Sequence, residues 1–305
     1  MSIYHTPVLL DESIEALVTD KGGIYADATF GGGGHSAAIL GKLDGNGRLL
    51  AFDQDEDAIR NNPIDDSRLT LTRNNFRFIR NFVLYHGYRS GIDGILADLG
   101  VSSHQFDTAG RGFSFRFDAP LDMRMNSGAE TSAADILNGY QQEDLERIFR
   151  IYGEVENSRK IAGLVCGFRS RKRIDTTGDL YEAISPVLPR TAEHKFLAKV
   201  YQALRIEVNH EMKSLEKFLE GAAAVLKPGG RLVVITYHSL EDRMVKNFIK
   251  AGNIGGEPEK DLYGNIMAPF RAVNRKPILP SEEEIAGNTR ARSAKLRIAE
   301  RTDSE

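Results

Sequence analysis

The chain has 305 residues, with 40 Lys+Arg against 43 Asp+Glu, a formal net charge of −3 and a hydrophobic share of 41 %. That is ordinary for a folded globular protein and long enough for one α/β domain carrying an insertion. The single cysteine, Cys166, excludes an internal disulfide and has no Cys or His partner at zinc-ligand spacing, so no metal site is expected. No basic segment followed by an apolar run opens the sequence and no stretch stays apolar for a membrane span, which makes a cytoplasmic protein without a membrane partner the expectation.

Thr6 is placed as an N-cap with Pro7 at the first helical position, and Leu10, Ile14, Leu17 and Val18 recur at helical spacing until Gly22-Gly23. Ile24–Phe30 reads as a strand, Gly31-Gly32-Gly33-Gly34 as a turn, Ser36–Leu43 as a helix and Arg48–Asp53 as a second strand, a βαβ unit. The alternation continues through a helix at Glu56–Asn61, a strand at Leu69–Thr72, a helix at Phe78–Tyr85 and a strand at Ile92–Asp98. This order predicts a parallel sheet wrapped by helices. From about residue 107 only helical patterns follow, Glu143–Tyr152 among them, until Lys227-Pro228-Gly229-Gly230 turns into a strand at Arg231–Thr236. Residues 107–195 therefore read as a helical insertion dividing a core made of residues 1–106 and 196–305. Ser239, with Asp242 three residues on, predicts a capped helix, and Ser281 with Glu284 a capping box. Short strands around Ala268–Val273 and Ala294–Ile298 close the sheet as an antiparallel pair.

A glycine turn between a first strand and its helix lets backbone approach a nucleotide closely, and a carboxylate ending the second strand, Asp53, suits ribose hydroxyls. A dinucleotide and S-adenosylmethionine both use this arrangement. Four consecutive glycines do not follow the G-x-G-x-x-G spacing, and Asp27 before the turn would repel a pyrophosphate while suiting an ammonium, which favours a methyltransferase over a dehydrogenase. Asp98 ends the fourth strand, where an acceptor could orient a weakly nucleophilic amine. Its context, Asp98-Leu99-Gly100-Val101, lacks the Pro-Pro-aromatic signature of many amino methyltransferases and leaves the chemistry open. His238, after the strand ending at Thr236, is either a base or a histidine bound beside a helix cap. Cys166 lies in an apolar run and reads as core, which disfavours cytosine C5 chemistry. Arg111-Gly112-Phe113-Ser114-Phe115-Arg116-Phe117 is either a base-stacking platform or a packed loop. Two stretches are locally basic, Arg159, Lys160, Arg169, Arg171, Lys172 and Arg173, and then Arg290, Arg292, Lys295 and Arg297; both read equally as solvated faces or polyanion contacts.

Taken together, Tyr4–Leu10, Thr29–Ser36, Asp93–Ser103, Arg111–Phe115, Pro120–Met125, Tyr237–Arg243 and Arg290–Arg297 closely resemble the bacterial RsmH family, also called MraW, the 16S rRNA cytosine-N4 methyltransferases. The resemblance implies a Rossmann-like S-adenosylmethionine-dependent methyltransferase fold with a mostly parallel seven-stranded sheet and an inserted helical domain for substrate recognition. It implies N4-methylation of a cytidine in the decoding region of 16S rRNA within the small ribosomal subunit. It puts the cofactor on Gly33, Gly34, His35, Asp53, Phe76, Asp98 and Gln105. Asp98 and His238 are then the catalytic candidates, and Arg111, Phe113, Arg124, Arg169, Arg171, Arg173 and Arg292 the substrate-binding ones. His104, Ala119 and Thr289 depart from the Pro, Gly and Pro usual in the family. A methyltransferase of another RNA, protein or small molecule is the alternative, a catalytically silent RNA-binding factor a third reading, and a homodimer is left open.

Overall fold

The computed structural model describes residues 7–264 and 266–303, so the expected Thr6 cap lies outside the described residues. It comprises two compact units, one built from the chain up to Gly100 and from Met212 on, the other from Val101–Glu211. The expected boundaries, 106/107 and 195/196, fall inside helices Ser103–Asp107 and Glu193–Asn209. Both helices go with the second unit because their apolar residues feed its core: Phe106 packs against it, and Leu197, Val200, Tyr201, Leu204 and Val208 are part of it.

The first unit opens with α1 (Leu10–Leu17). The helix starts after Pro7, contrary to expectation, because Leu9 adopts a left-handed φ of 52° and gives its N–H to Glu284 Oε1 at 2.8 Å. Then follow β1 (Ile24–Asp27), α2 (Gly34–Lys42), β2 (Arg48–Asp53), α3 (Glu56–Arg60), β3 (Leu69–Arg73), a 3-10 turn at Phe76–Phe78, α4 (Ile79–Tyr85) and β4 (Ile92–Asp98). The second unit holds α5 (Ser103–Asp107), α6 (Ala133–Gly139), α7 (Gln142–Ile151), α8 (Ser158–Arg169), α9 (Thr177–Ile184) and α10 (Glu193–Asn209). The first unit resumes with α11 (Glu211–Val225), β5 (Leu226–Thr236), α12 (Ser239–Ala251), β6 (Phe270–Ala272), α13 (Glu282–Gly287) and β7 (Lys295–Arg301).

The strands form one sheet in the order β3-β2-β1-β4-β5-β7-β6, parallel from β3 to β5, with β7 antiparallel to both its neighbours. Alternate residues of the central strands face opposite layers. Ala26, Leu50, Phe52, Ile95, Ala97, Leu232 and Val234 pack with Ile79 and Val83 of α4, Phe218 of α11 and Phe248 of α12. Tyr25, Leu49, Leu96, Val233 and Ile235 pack with Ile14 and Leu17 of α1 and Ile39 of α2. Burial on both faces is why these strands read as near-continuous apolar runs. The Lys227–Gly230 segment, expected as a turn, is absorbed into β5 as a register shift opposite β4, tied by Lys227 Nζ to Asp93 at 2.8 Å. The Ser281 cap forms, with Ser281 Oγ accepting from Glu284 N at 3.1 Å, but the Glu284 carboxylate reaches Leu9 and does not close the box.

The chain enters β4 through Gly91, at φ +89°, where an added Cβ would stand 2.8 Å from the carbonyl oxygen of Val225. Gly91→Ala is expected to destabilise the first unit by about 1–3 kcal/mol through left-handed strain and overpacking. Urea unfolding checks it, and a midpoint matching the wild type would contradict this account of the turn.

Candidate active site

Three neighbouring strands end in carboxylates at one edge of the sheet: β1 in Asp27, β2 in Asp53 and β4 in Asp98. Asp27 is fully buried and accepts from Ser36 Oγ at 2.6 Å and Thr29 N at 3.1 Å. Burial raises its pKa, opposed by His35 and these hydrogen bonds. Asp53 accepts backbone N–H groups from Gly31 and Asp55, both at 2.8 Å, and desolvation pushes its pKa up to about 6. The glycine turn is thus tied to the end of β2.

The glycines have distinct reasons. Gly31 and Gly33 take left-handed φ values of +52° and +78°, and Gly33 caps α2 without a side-chain bond. At Gly34 an added Cβ would lie 2.2 Å from Pro7 Cγ, so packing within the protein already forbids a side chain there.

Asp98 gives its N–H to Thr29 Oγ1 at 2.7 Å and accepts from the Tyr237 hydroxyl at 2.8 Å on Oδ1, while Oδ2 lies 3.9 Å from His35 Nδ1. Its pKa is pushed up to about 6, first by desolvation, with Asp27 and Glu241 adding and His35 and Tyr237 opposing. The buried His35 has Nε2 3.2 Å from the Val8 carbonyl, so that nitrogen carries the proton and donates. Nδ1 is the ring nitrogen that faces Asp98. Tyr237 was not singled out by the sequence, yet it is the residue that grips Asp98. The signal available was its place one residue beyond β5, at the same sheet edge.

Phe76 sits after β3 as expected, half-buried and edge-on to Phe218 with ring centroids 5.3 Å apart. Gln105, in the second unit, is buried at N3 of α5, where its Oε1 accepts from Ser102 N at 3.1 Å in a capping box. Of the two readings of His238, the structure places it as the N-cap of α12. Its Nδ1 accepts from Glu241 N at 3.4 Å and its Nε2 lies 3.1 Å from Glu241 Oε1, so both nitrogens face one residue. The cap is His238 with Glu241, one residue earlier than the expected Ser239 with Asp242.

The substrate candidates divide. Phe113 is buried in the core of the second unit, and the Arg111 guanidinium donates to the carbonyls of Arg124 and Met125 at 2.9 and 3.0 Å. Arg111–Phe117 is therefore mainly a packed loop, although Phe117 is exposed. Arg124 pairs with Asp122 at 2.6 Å, Arg169 donates to the Leu137 carbonyl at 2.6 Å, and Arg173 engages Asp175 and Asp135 at 2.7 and 3.4 Å. Arg171 and Arg292 are exposed. Cys166 is half-buried against the core of the second unit, as its apolar run suggested.

The strand order is that of a Rossmann-like S-adenosylmethionine-dependent methyltransferase. The model of the MraW methylase family matches residues 2–302, and the chain belongs to that family. Among its relatives, the Ribosomal RNA small subunit methyltransferase H of Phocaeicola vulgatus is 58 % identical, covering 98 % of both chains. The protein of the same name from Flavobacterium johnsoniae is 53 % identical, again over 98 % of each. A solved rRNA methylase from Streptococcus thermophilus aligns with a TM-score of 0.39 at 13 % identity, covering 96 % of this chain and 93 % of that one, a likeness too remote to inform the site.

Because the folded-state pKa of Asp98 is raised, its ionisation opposes folding: the cost is absent below the ordinary carboxylate pKa and complete above about 6. The side chain is 24 % exposed, which moderates the effect. Asp98→Asn is expected to stabilise the cofactor-free protein at pH 7 by on the order of 1–3 kcal/mol, an advantage vanishing below about pH 4. Tyr237→Phe, which removes a donor from the ionised form, should act in the opposite direction over the same window. Thermal unfolding against pH decides; equal stability of all three proteins at pH 7 would refute the assignment.

Proposed function

We propose that this chain methylates N4 of a cytidine in the decoding region of 16S rRNA, nucleotide 1402 of the family target, with S-adenosylmethionine as donor. The observation that carries the reading is the end-to-end identity, 58 %, to a protein named Ribosomal RNA small subunit methyltransferase H.

The residues at the sheet edge fit the cofactor. Asp27 and Asp98 are desolvated acids with no paired Lys or Arg among the described residues, a setting complemented by an ammonium and hostile to a pyrophosphate. Both Asp53 oxygens accept one backbone N–H each and keep lone pairs for ribose hydroxyls. Phe76 offers a ring for adenine, and Gly33, Gly34 and His35 form the start of α2, which no side chain caps and whose first turn suits a carboxylate. S-adenosylmethionine supplies an electrophilic methyl group on a cationic sulfonium.

The chain's own contribution to transfer centres on Asp98. A cytosine amine is a poor nucleophile because its lone pair is delocalised into the ring. A carboxylate accepting one of its N–H bonds orients the amine and provides a place for the proton it must lose. Tyr237 and Thr29 fix Asp98 from two sides, so that orientation is set before substrate arrives. His238 is assigned no step in this reading, because its Nδ1 serves as the N-cap acceptor of α12.

Incubating the protein with labelled S-adenosylmethionine and small ribosomal subunits, followed by nucleoside mass spectrometry, is expected to yield N4-methylcytidine. Cofactor binding with no transfer, or label in another nucleoside, would sink the reading. Cofactor affinity should also weaken as pH falls through about 6, where Asp53 and Asp98 take up protons. Calorimetric titration between about pH 5 and 8 tests this, and a flat profile would contradict it.

A further inference from the structure

From Arg68 to Ser90 the first unit carries five arginines and no acidic residue. Arg68 is paired with Asp66 at 2.6 Å, and Arg73 lies 3.3 Å from Glu56. Arg77, Arg80 and Arg89 are exposed, and no carboxylate among the described residues pairs with them. Arg77 lies over the ring of Phe78, 4.6 Å from its centroid. Ile79 and Val83 bury one side of α4, while Phe78, Leu84 and Tyr85 stay exposed, Tyr85 at 81 %, with the Tyr85 and His86 rings edge to face at 5.2 Å.

Exposed aromatic rings among unpaired guanidinium groups are the combination that single-stranded nucleic acid requires: cations for phosphates and flat apolar faces for unstacked bases. The location fits too. Arg73 is in register with Asp53, so the stripe begins at the carboxyl edge that holds the site. A stable protein partner would cover about 800 Å² on each side, more than a helix of this length presents. We propose that the exposed surface of the Phe76–Phe78 turn and α4, carrying Arg77, Arg80 and Tyr85, binds single-stranded RNA leading to the carboxyl edge, an inference that rests on RNA being the substrate.

The probe is a fluorescent oligouridylate of about 15 nucleotides, read by anisotropy on the full chain at several salt concentrations. R77E/R80E is expected to weaken binding at least about tenfold and to lower the salt slope by about 1.4, two phosphate contacts on a single strand. Y85A should weaken binding about fivefold or more through lost stacking. R275E/K276E makes the same change in charge beyond β6, at the opposite edge of the sheet, and is expected to bind within about twofold of wild type. Unchanged S-adenosylmethionine affinity of R77E/R80E certifies the fold, and R77Q/R80Q replaces it where charge reversal unfolds the chain. The inference is overturned when the R77E/R80E and Y85A variants and the control bind alike, when wild type does not bind, or when poly-glutamate competes as well as RNA. Absence of methyl transfer by wild type to small subunits would instead defeat the substrate reading and leave the oligouridylate comparison to decide the surface on its own.

Discussion

Hydroxyls and backbone N–H groups hold the buried carboxylates at the carboxyl edge of this sheet, and among the described residues no Lys or Arg pairs with them. Asp27, Asp53 and Asp98 end adjacent strands, and their partners are hydroxyls and backbone N–H groups from Ser36, Thr29, Gly31, Asp55 and Tyr237. Such donors satisfy the oxygens without neutralising them, which is why desolvation dominates and the pKa values of Asp53 and Asp98 reach about 6. A resident lysine or arginine would make the edge more stable and would occupy the place of a cationic ligand. The instability is local and has a use, as is common for functional sites.

That constraint organises the surrounding backbone. The turn after β1 must supply an N–H to Asp53 and a hydroxyl to the backbone of Asp98, so Gly31 and Thr29 connect β1 to the strands on either side of it. Pro7 then closes over Gly34, and Val8 presents its carbonyl to His35, fixing which ring nitrogen faces Asp98. On the other side β5 delivers Tyr237, whose N–H is held by Glu241 Oε2 at 2.9 Å. The same carboxylate faces His238, so one buried glutamate starts α12 and steadies the residue that grips Asp98.

The alternation of strands and helices was legible because burial on both sheet faces leaves long apolar runs, and β2 and β4 fall where the runs lie. Ends were less legible where a tertiary contact overrides local propensity: Leu9 turns left-handed to reach Glu284, and Glu284 leaves its own capping box to meet it. The carboxylates were legible because each ends a strand. The place of Tyr237 just past a strand was legible, but its hydrogen bond to Asp98 was not, since that depends on β4 and β5 being neighbours. Basic runs left their role open for a related reason. Charge along a sequence does not say which guanidinium groups fold back on the chain's own carbonyls and acids, as those of Arg124, Arg169 and Arg173 do.

A net charge of −3 works against a polyanionic substrate at long range, yet salt at physiological strength screens fields beyond about 10 Å. Attraction is then decided by the cations that a phosphate can touch, and internal pairing removes most of the second unit's arginines from that set. Arg77 and Arg80 remain in it because the stretch around them contains no acid to pair with. An acidic edge suited to a cationic donor and a nearby cationic face proposed for an anionic strand are therefore compatible in one unit. The hydrogen-bonding donors that hold the first are neutral, so neither charge is consumed by the other.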